Sequence, residues 1–307
     1  MRRPAARFAL TLTAVLLAGT AVLPAHGAEP VFLWQVEGEG ATVTLVGSIH
    51  VGQPDFFPLP EVFESAFADA GALAVEVDIT NPANVQKSMT LMMQKGMLPA
   101  DETLQDRLGE DLWARLEAFA AERGTPLAMY SKFKPGIVAM ILVMEEYQRV
   151  GFDPELGIDK HFLEAAQAGG KEIRELETIE DQLELFFMID DELDDVLMGE
   201  MLDQMDQIEA MTNEMVALWM KGDATGLDAM LQEQMGDDPE MAEFYRRLLD
   251  DRNVAMVDKI DAWLGGDTDV FVVVGAGHFA GEMGIINLLE QKGWKVLQGS
   301  GAFAAAE

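Results

Sequence analysis

Val270-Phe271-Val272-Val273-Val274-Gly275-Ala276-Gly277-His278 has a counterpart far upstream in Ala41-Thr42-Val43-Thr44-Leu45-Val46-Gly47-Ser48-Ile49-His50. Each is a β-branched, apolar run followed by a glycine, two residues and a histidine. Such runs read as strands buried within a sheet. Both histidines therefore fall just past strand ends, the edge where ligands of α/β proteins gather. They are two of only four histidines in the chain, so a site assembled from both ends of the sequence is expected.

Outward from these segments the pattern alternates. Residues 31–37, 42–46 and 73–77 read as strands and 61–70 as a helix, with Gly38-Glu39-Gly40 as a hairpin signal. The loop 52–60 carries Pro54, Pro58 and Pro60 around Phe56 and Phe57. It reads as a stiff excursion over the strand ends that would wall a pocket. Residues 81–147 are helical in pattern, with 134–149 apolar on one face. A helix at 157–166 and a strand at 172–176 resemble a further α/β unit. A long helical region runs from 180 to about 263, broken near Gly222, Gly236 and Pro239. The last unit is strand 270–274, helix 280–292 and strand 295–297. Met201, Met205, Ile208, Met211, Met215 and Leu218 form one apolar helical stripe, expected to cover the core, a groove or a dimer seam rather than to bind copper. Asp190, Asp191, Glu192, Asp194 and Asp195 beside it read as a solvated helix start.

The first residues are basic, and 8–23 is apolar before Pro24-Ala25-His26-Gly27-Ala28. That is the layout of a secretory signal peptide over 1–27, cut before Ala28. Its apolar run of about 16 residues is shorter than the roughly 20 that span a bilayer. A soluble periplasmic or secreted protein without a stable membrane anchor is expected, with residues 28–307 as a single domain. There is no cysteine, hence neither a disulfide nor a thiolate ligand. The formal charge of −33 opposes nonspecific attraction to nucleic acid or anionic lipid.

Within 73–78, Glu76 interrupts a run expected to be buried. A buried carboxylate needs a partner, which a histidine or a metal would supply. Asp78, two residues on, would cap the strand end if Glu76 faces the site. His50, Glu76 and His278 together make two imidazoles and a carboxylate, a set suited to a divalent ion with positions left for water. A metal-free arrangement, with one histidine as general base held by Glu76, uses the same residues. Arg252 has the fork that holds a carboxylate or oxyanion, although composition alone favours a surface pairing in so acidic a chain. His161 reads as an ordinary, partly exposed helical histidine. Ser48 reads as a hydrogen-bonding loop residue rather than a nucleophile. Gly275, Gly277 and Gly281 do not match a dinucleotide loop, because the third glycine comes one position late.

Taken in order, Phe32-Leu33-Trp34, the His50 segment, Val75-Glu76-Val77-Asp78, Gly157-Ile158-Asp159, Leu176-Glu177-Thr178 with Gln182, Arg252-Asn253, and the His278 segment followed by Gly281 and Gly284 resemble the TraB/GumN family, grouped with PrgY and the Tiki metalloproteases. The resemblance covers nearly the whole chain after the leader. It implies an α/β fold like that of erythromycin esterases and ChaN-like haem-binding proteins: a mixed central sheet, flanking helices and a large helical insertion at about 180–265. It also implies that His50, Glu76 and His278 are metal or catalytic residues, and it raises Arg252 to a functional role. The expected activity is a metal-dependent hydrolase of peptide or protein substrates, using Mn, Zn, Fe or Co, with Arg252 steadying an oxyanion and Glu177 as a base. The alternatives are a non-catalytic binder of peptide or haem and a metal-independent esterase-like hydrolase. An oligomer through the Met-rich helix is a further expectation.

Overall fold

The computed structural model describes residues 29–187, 191–235 and 239–301. The expected signal peptide, the expected break at Gly236 and the acid Asp190 lie outside the described residues. The strands are β1 (Glu29–Glu37), β2 (Thr42–Ser48), β3 (Ala72–Val75), β4 (Glu172–Glu175), β5 (Val270–Gly275) and β6 (Val296–Gly301). They form one mixed sheet in the order β4-β3-β5-β2-β1-β6. The chain is thus α/β with flanking helices.

β1 and β2 form the expected hairpin, and β1 also pairs antiparallel with β6. β5 inserts between β2 and β3, parallel to both, and β4 continues the parallel set beyond β3. A strand with neighbours on both edges and helices over it is apolar throughout, which accounts for Val270-Phe271-Val272-Val273-Val274. Helices Glu61–Asp69 and Ile158–Gly169 pack on this strand through Phe67 and Phe162, whose rings lie 5.5 and 4.8 Å from that of Phe271. Helix Asp251–Leu264 buries Met256, Val257, Ile260 and Leu264 in the same core.

The region following β5 differs from expectation at its start. Ala276–Phe279 is a 3-10 turn, and the next helix is the short Ile285–Gln291.

A second core lies among the helices. Leu104, Leu116, Val138 and Leu142, from the segment between β3 and β4, meet Met198, Met201, Met205 and Ile208. Helices at 82–149 therefore join those after 179 in the helical layer. The methionine stripe does not run along one helix. It crosses from Asp191–Gln204 through a 3-10 turn, Met205–Gln207, into Ile208–Met220. Met201, Met205 and Ile208 are buried in the second core, while Met211 and Met215 are half-buried.

Asp194 overturns the expectation of a solvated acidic helix start. Its carboxylate is buried and accepts the Gly136 N–H at 3.2 Å, at the N-terminus of helix Pro135–Arg149. Pro135 has no N–H, and the N–H groups of a first turn need external acceptors, so Asp194 caps this helix from another element. Burial raises its pKa to about 6, against about 3.9 in an unfolded chain. Between these values the unfolded chain loses the proton first, so this group's contribution makes stability fall as pH rises from 4 to 6. Asp194→Asn keeps an acceptor for Gly136. It is expected to stabilise the protein by about 1–2 kcal/mol at pH 7 and by nothing near pH 4, read from denaturant unfolding at the two pH values.

Candidate functional site

The parallel register sets Ser48 opposite Gly275 and Val75 opposite Val273. The chain leaving β2, β3 and β5 therefore emerges at one edge of the sheet. His50, Glu76 and His278 meet there, with Glu76 the first residue beyond β3.

Glu76 is only 8% exposed. Its burial is offset by three donors: the Gly275 N–H to Oε1 at 2.7 Å, Arg252 Nη2 to Oε2 at 2.7 Å and Gln182 Nε2 to Oε2 at 2.8 Å. Burial opposes ionisation, but His278, His50 and Arg252, with the Gly275 hydrogen bond, outweigh it and hold the pKa at about 2. Asp78 takes the capping role, accepting from the N–H and hydroxyl of Thr80.

His278 is 3% exposed. Its Nδ1 lies 2.6 Å from Asn253 Oδ1, and the Asn253 amide donates to the Met283 carbonyl at 2.9 Å. That second bond orients the amide, so the hydrogen-bond network places the ring proton on Nδ1 and a lone pair on Nε2. Nε2 is 3.8 Å from Glu76 Oε1. Burial pushes the His278 pKa down to about 4, which leaves the ring neutral at pH 7.

His50 reaches the same oxygen from an open position. Its side chain is 61% exposed, Nδ1 lies 2.8 Å from Asp159 Oδ1, and Nε2 is 4.0 Å from Glu76 Oε1. The Asp159 carboxylate raises its pKa to about 9. Asp159 is delivered by a close approach of two chain segments. A Cβ on Gly157 would sit 2.6 Å from the His50 carbonyl oxygen, and Ile158 N–H bonds to the Ile49 carbonyl at 3.0 Å. Only glycine allows that contact, and it aims the next residue but one at the imidazole.

Gly275 supplies the space between these groups. A Cβ there would lie 3.3 Å from both Glu76 Oε1 and His50 Nε2 and 3.7 Å from the His278 ring. Among the described residues, no group of three or more His, Cys, Asp or Glu is arranged to hold a metal ion as it stands. The separations of 3.8 and 4.0 Å exceed the roughly 3.4 Å between ligands sharing a tetrahedral ion. The donor chemistry does fit an ion: two imidazole nitrogens and one carboxylate oxygen border a space that a single methyl would fill. Each ring is fixed through its other nitrogen, as metal-binding histidines are.

Arg252 and Glu177 complete the arrangement. Arg252 is half-buried, its side chain 13% exposed, against the surface pairing that composition favoured, because the chain leaving β4 carries Glu177 to Glu76. The Glu177 N–H bonds to the Glu76 carbonyl at 2.9 Å. Arg252 donates to both oxygens of Glu177, at 2.8 and 2.6 Å, as well as to Glu76 and the Leu248 carbonyl. A π-helical turn, Arg246–Asp250, immediately precedes it; such turns reset which side chains face inward.

His161 stays outside the site, 2.8 Å from Glu64. The proline-rich loop does not wall it either. Phe56 turns into the core, stacked 5.7 Å from Trp219, because burial in the core removes the ring from water. Pro154 lines the adjoining cavity instead. The sequence left Asp159, Gln182 and Asn253 without a role of their own; their places in the motifs Gly157-Ile158-Asp159, Leu176-Glu177-Thr178 with Gln182, and Arg252-Asn253 were the available signal.

A model described as the TraB/PrgY/gumN family matches residues 32–298. Two relatives, each named "Uncharacterized protein YbaP", from Escherichia coli (strain K12) and Shigella flexneri, are each 29% identical over 245 residues, covering 80% of this chain and 86% of their own length. No solved structure matches the chain, so the likeness to erythromycin esterases and ChaN-like proteins rests on the sequence motifs.

Removing Arg252 would leave two buried carboxylates without their cation. Arg252→Ala is expected to cost about 3–5 kcal/mol of unfolding free energy. Combining it with Glu177→Ala should cost less than the sum of the single changes, read from denaturant unfolding of the three variants.

Proposed function

The chain belongs to the TraB/PrgY/gumN family, and from its site we propose that it is a metal-dependent hydrolase of peptide or protein substrates that works in the periplasm or outside the cell. The observation that carries this reading is the convergence of His50 Nε2 and His278 Nε2 on Glu76 Oε1 around the open face of Gly275. Those three atoms would hold the ion, drawn from Mn, Zn, Fe or Co. When bound, such an ion polarises a carbonyl and makes water a nucleophile at neutral pH.

The protein's own groups have distinct tasks. Asn253 keeps the Nε2 lone pair of His278 turned toward Glu76, and Asp159 keeps His50 Nε2, which is protonated at neutral pH until an ion displaces its proton, aimed at the same carboxylate. Arg252 holds Glu76 ionised and in place. Four hydrogen bonds to described residues occupy its guanidinium, which leaves one of its five N–H groups on Nη1 for an oxyanion. Glu177 locks Arg252 through both carboxylate oxygens. To act as a base it would first have to release that bidentate pair.

The pairing of His50 with Asp159 favours a second reading, metal-independent hydrolysis, in which the imidazolium donates a proton to the leaving group. Haem binding is less well supported, since both histidines face a carboxylate and the adjoining cavity of about 290 Å³ lies at the small end of ligand pockets. The extracytoplasmic location rests on the basic-then-apolar layout of residues 1–27. The charge of −33 disfavours nucleic acid as a partner.

Metal analysis of the purified protein, offered each ion in turn, tests the reading. One equivalent is expected in the wild type and none in His50→Ala or His278→Ala, while Asn253→Ala should weaken binding by about 10–100-fold. Peptide hydrolysis that survives exhaustive chelation would favour the metal-independent reading and overturn this one.

A further inference from the structure

Ser48 ends β2 at 2% exposure, and its hydroxyl has no hydrogen-bond partner among the described residues. A buried polar group left unpaired costs on the order of 1–3 kcal/mol. An orphan of this kind therefore needs a physical explanation. Ser48 lies across from Gly275 in the β2–β5 register, and it lines a cavity of about 290 Å³ that also touches His50 and Glu76. The apolar lining comes from Val77, Ile79, Met144, Pro154 and Val273.

The charges around this cavity are already engaged. Glu76 is bound by Arg252, Gln182 and Gly275, and Asp159 by His50. A charged group entering the cavity would lose its hydration without gaining a free counter-charge. An aliphatic group would bury itself against Met144 and Val273, beside the Ser48 hydroxyl that no described residue pairs. The volume suits a single side chain rather than a larger ligand. Ile79 is 48% exposed, so one apolar wall reaches solvent.

We propose that this cavity is the subsite for one uncharged aliphatic side chain of a peptide substrate, and that the Ser48 hydroxyl donates a hydrogen bond to that residue's main-chain carbonyl. Identifying the side chain as the one next to the scissile bond rests on the hydrolase reading above. The subsite itself is a binding claim.

The test follows the methyl resonance of Met144, assigned by comparison with Met144→Leu, in protein labelled with [methyl-13C]methionine. It is titrated with the N-acetyl amides of leucine, glycine, aspartate and lysine. The leucine derivative is expected to shift the signal saturably and the other three to leave it in place. Ser48→Ala should weaken leucine-amide binding about fivefold, the effect of about 1 kcal/mol. It should not lower thermal stability, because the hydroxyl it removes has no partner among the described residues. Met144→Trp should close the subsite, read as loss of leucine-amide binding by calorimetry. Equal response to all four ligands, or none to leucine, would overturn the proposal. Leucine-selective binding without peptide hydrolysis would retain the subsite and remove the hydrolase reading. Hydrolysis with a preference unchanged by Met144→Trp would retain the hydrolase and remove the subsite.

Discussion

The parallel pairing of β2 with β5 joins two segments from opposite ends of the chain, and the candidate site exists because of it. Asp269, just before β5, fixes the start of all three central strands. Its carboxylate accepts from Thr42 N at 2.6 Å, and its carbonyl accepts from Gly71 and Ala72 at 2.9 and 3.2 Å. With their beginnings in line, β3 stops opposite Val273 and β2 and β5 run on to Ser48 and Gly275, so all three leave at the same edge of the sheet. A slip of one residue would turn every side chain of a strand to the other face. The apolar runs resist it, since both faces of β5 are buried. His50 and Glu76 thus inherit their positions from packing at the far end of the strands.

Placing Glu76 at that edge creates a cost that the surrounding elements are arranged to meet. A buried carboxylate is tolerated when its oxygens are hydrogen-bonded and a cation is near. The Gly275 N–H comes from β5 itself, Gln182 from helix Ile179–Phe187 and Arg252 from the start of helix Asp251–Leu264. The same helix start presents Asn253 to His278. Two consecutive residues therefore fix the carboxylate and one imidazole, and the orientation of this helix is coupled to both.

Those parts of the molecule governed by local pattern were legible in the sequence. The β-branched runs located the strands, the glycine before each histidine marked the strand ends, and an acid inside an apolar run singled out Glu76. Long-range partners were not legible. Arg252 is one of several arginines and aspartates in a charged stretch, and its burial depends on Glu177 arriving from β4. Asp194 sits in an acidic run that resembles a solvated helix start, yet Gly136, from a distant helix, needs its carboxylate. The methionine stripe has the right spacing for one helix, but a 3-10 turn at Met205–Gln207 divides it and its first part is absorbed into the second core. Phe56 lay in a loop rich in proline, and packing against Trp219 drew it inward.

The two histidines occupy matched sequence motifs but unlike environments, and the difference gives the site a direction. His278 is enclosed, neutral and held by an amide; His50 is open to solvent and held by a carboxylate. The cavity beside them is bordered by His50, Glu76 and Ser48, whereas His278, Asn253 and Arg252 are absent from its lining. His278, in its 3-10 turn, therefore lies behind the cavity rather than along it. His50 and Ile79, the exposed members of its lining, mark the side open to solvent. Gly275 lies between the enclosed and open halves. Any side chain there would fill the space that both imidazoles and the carboxylate face, so the smallest residue in the site decides whether anything else can enter it.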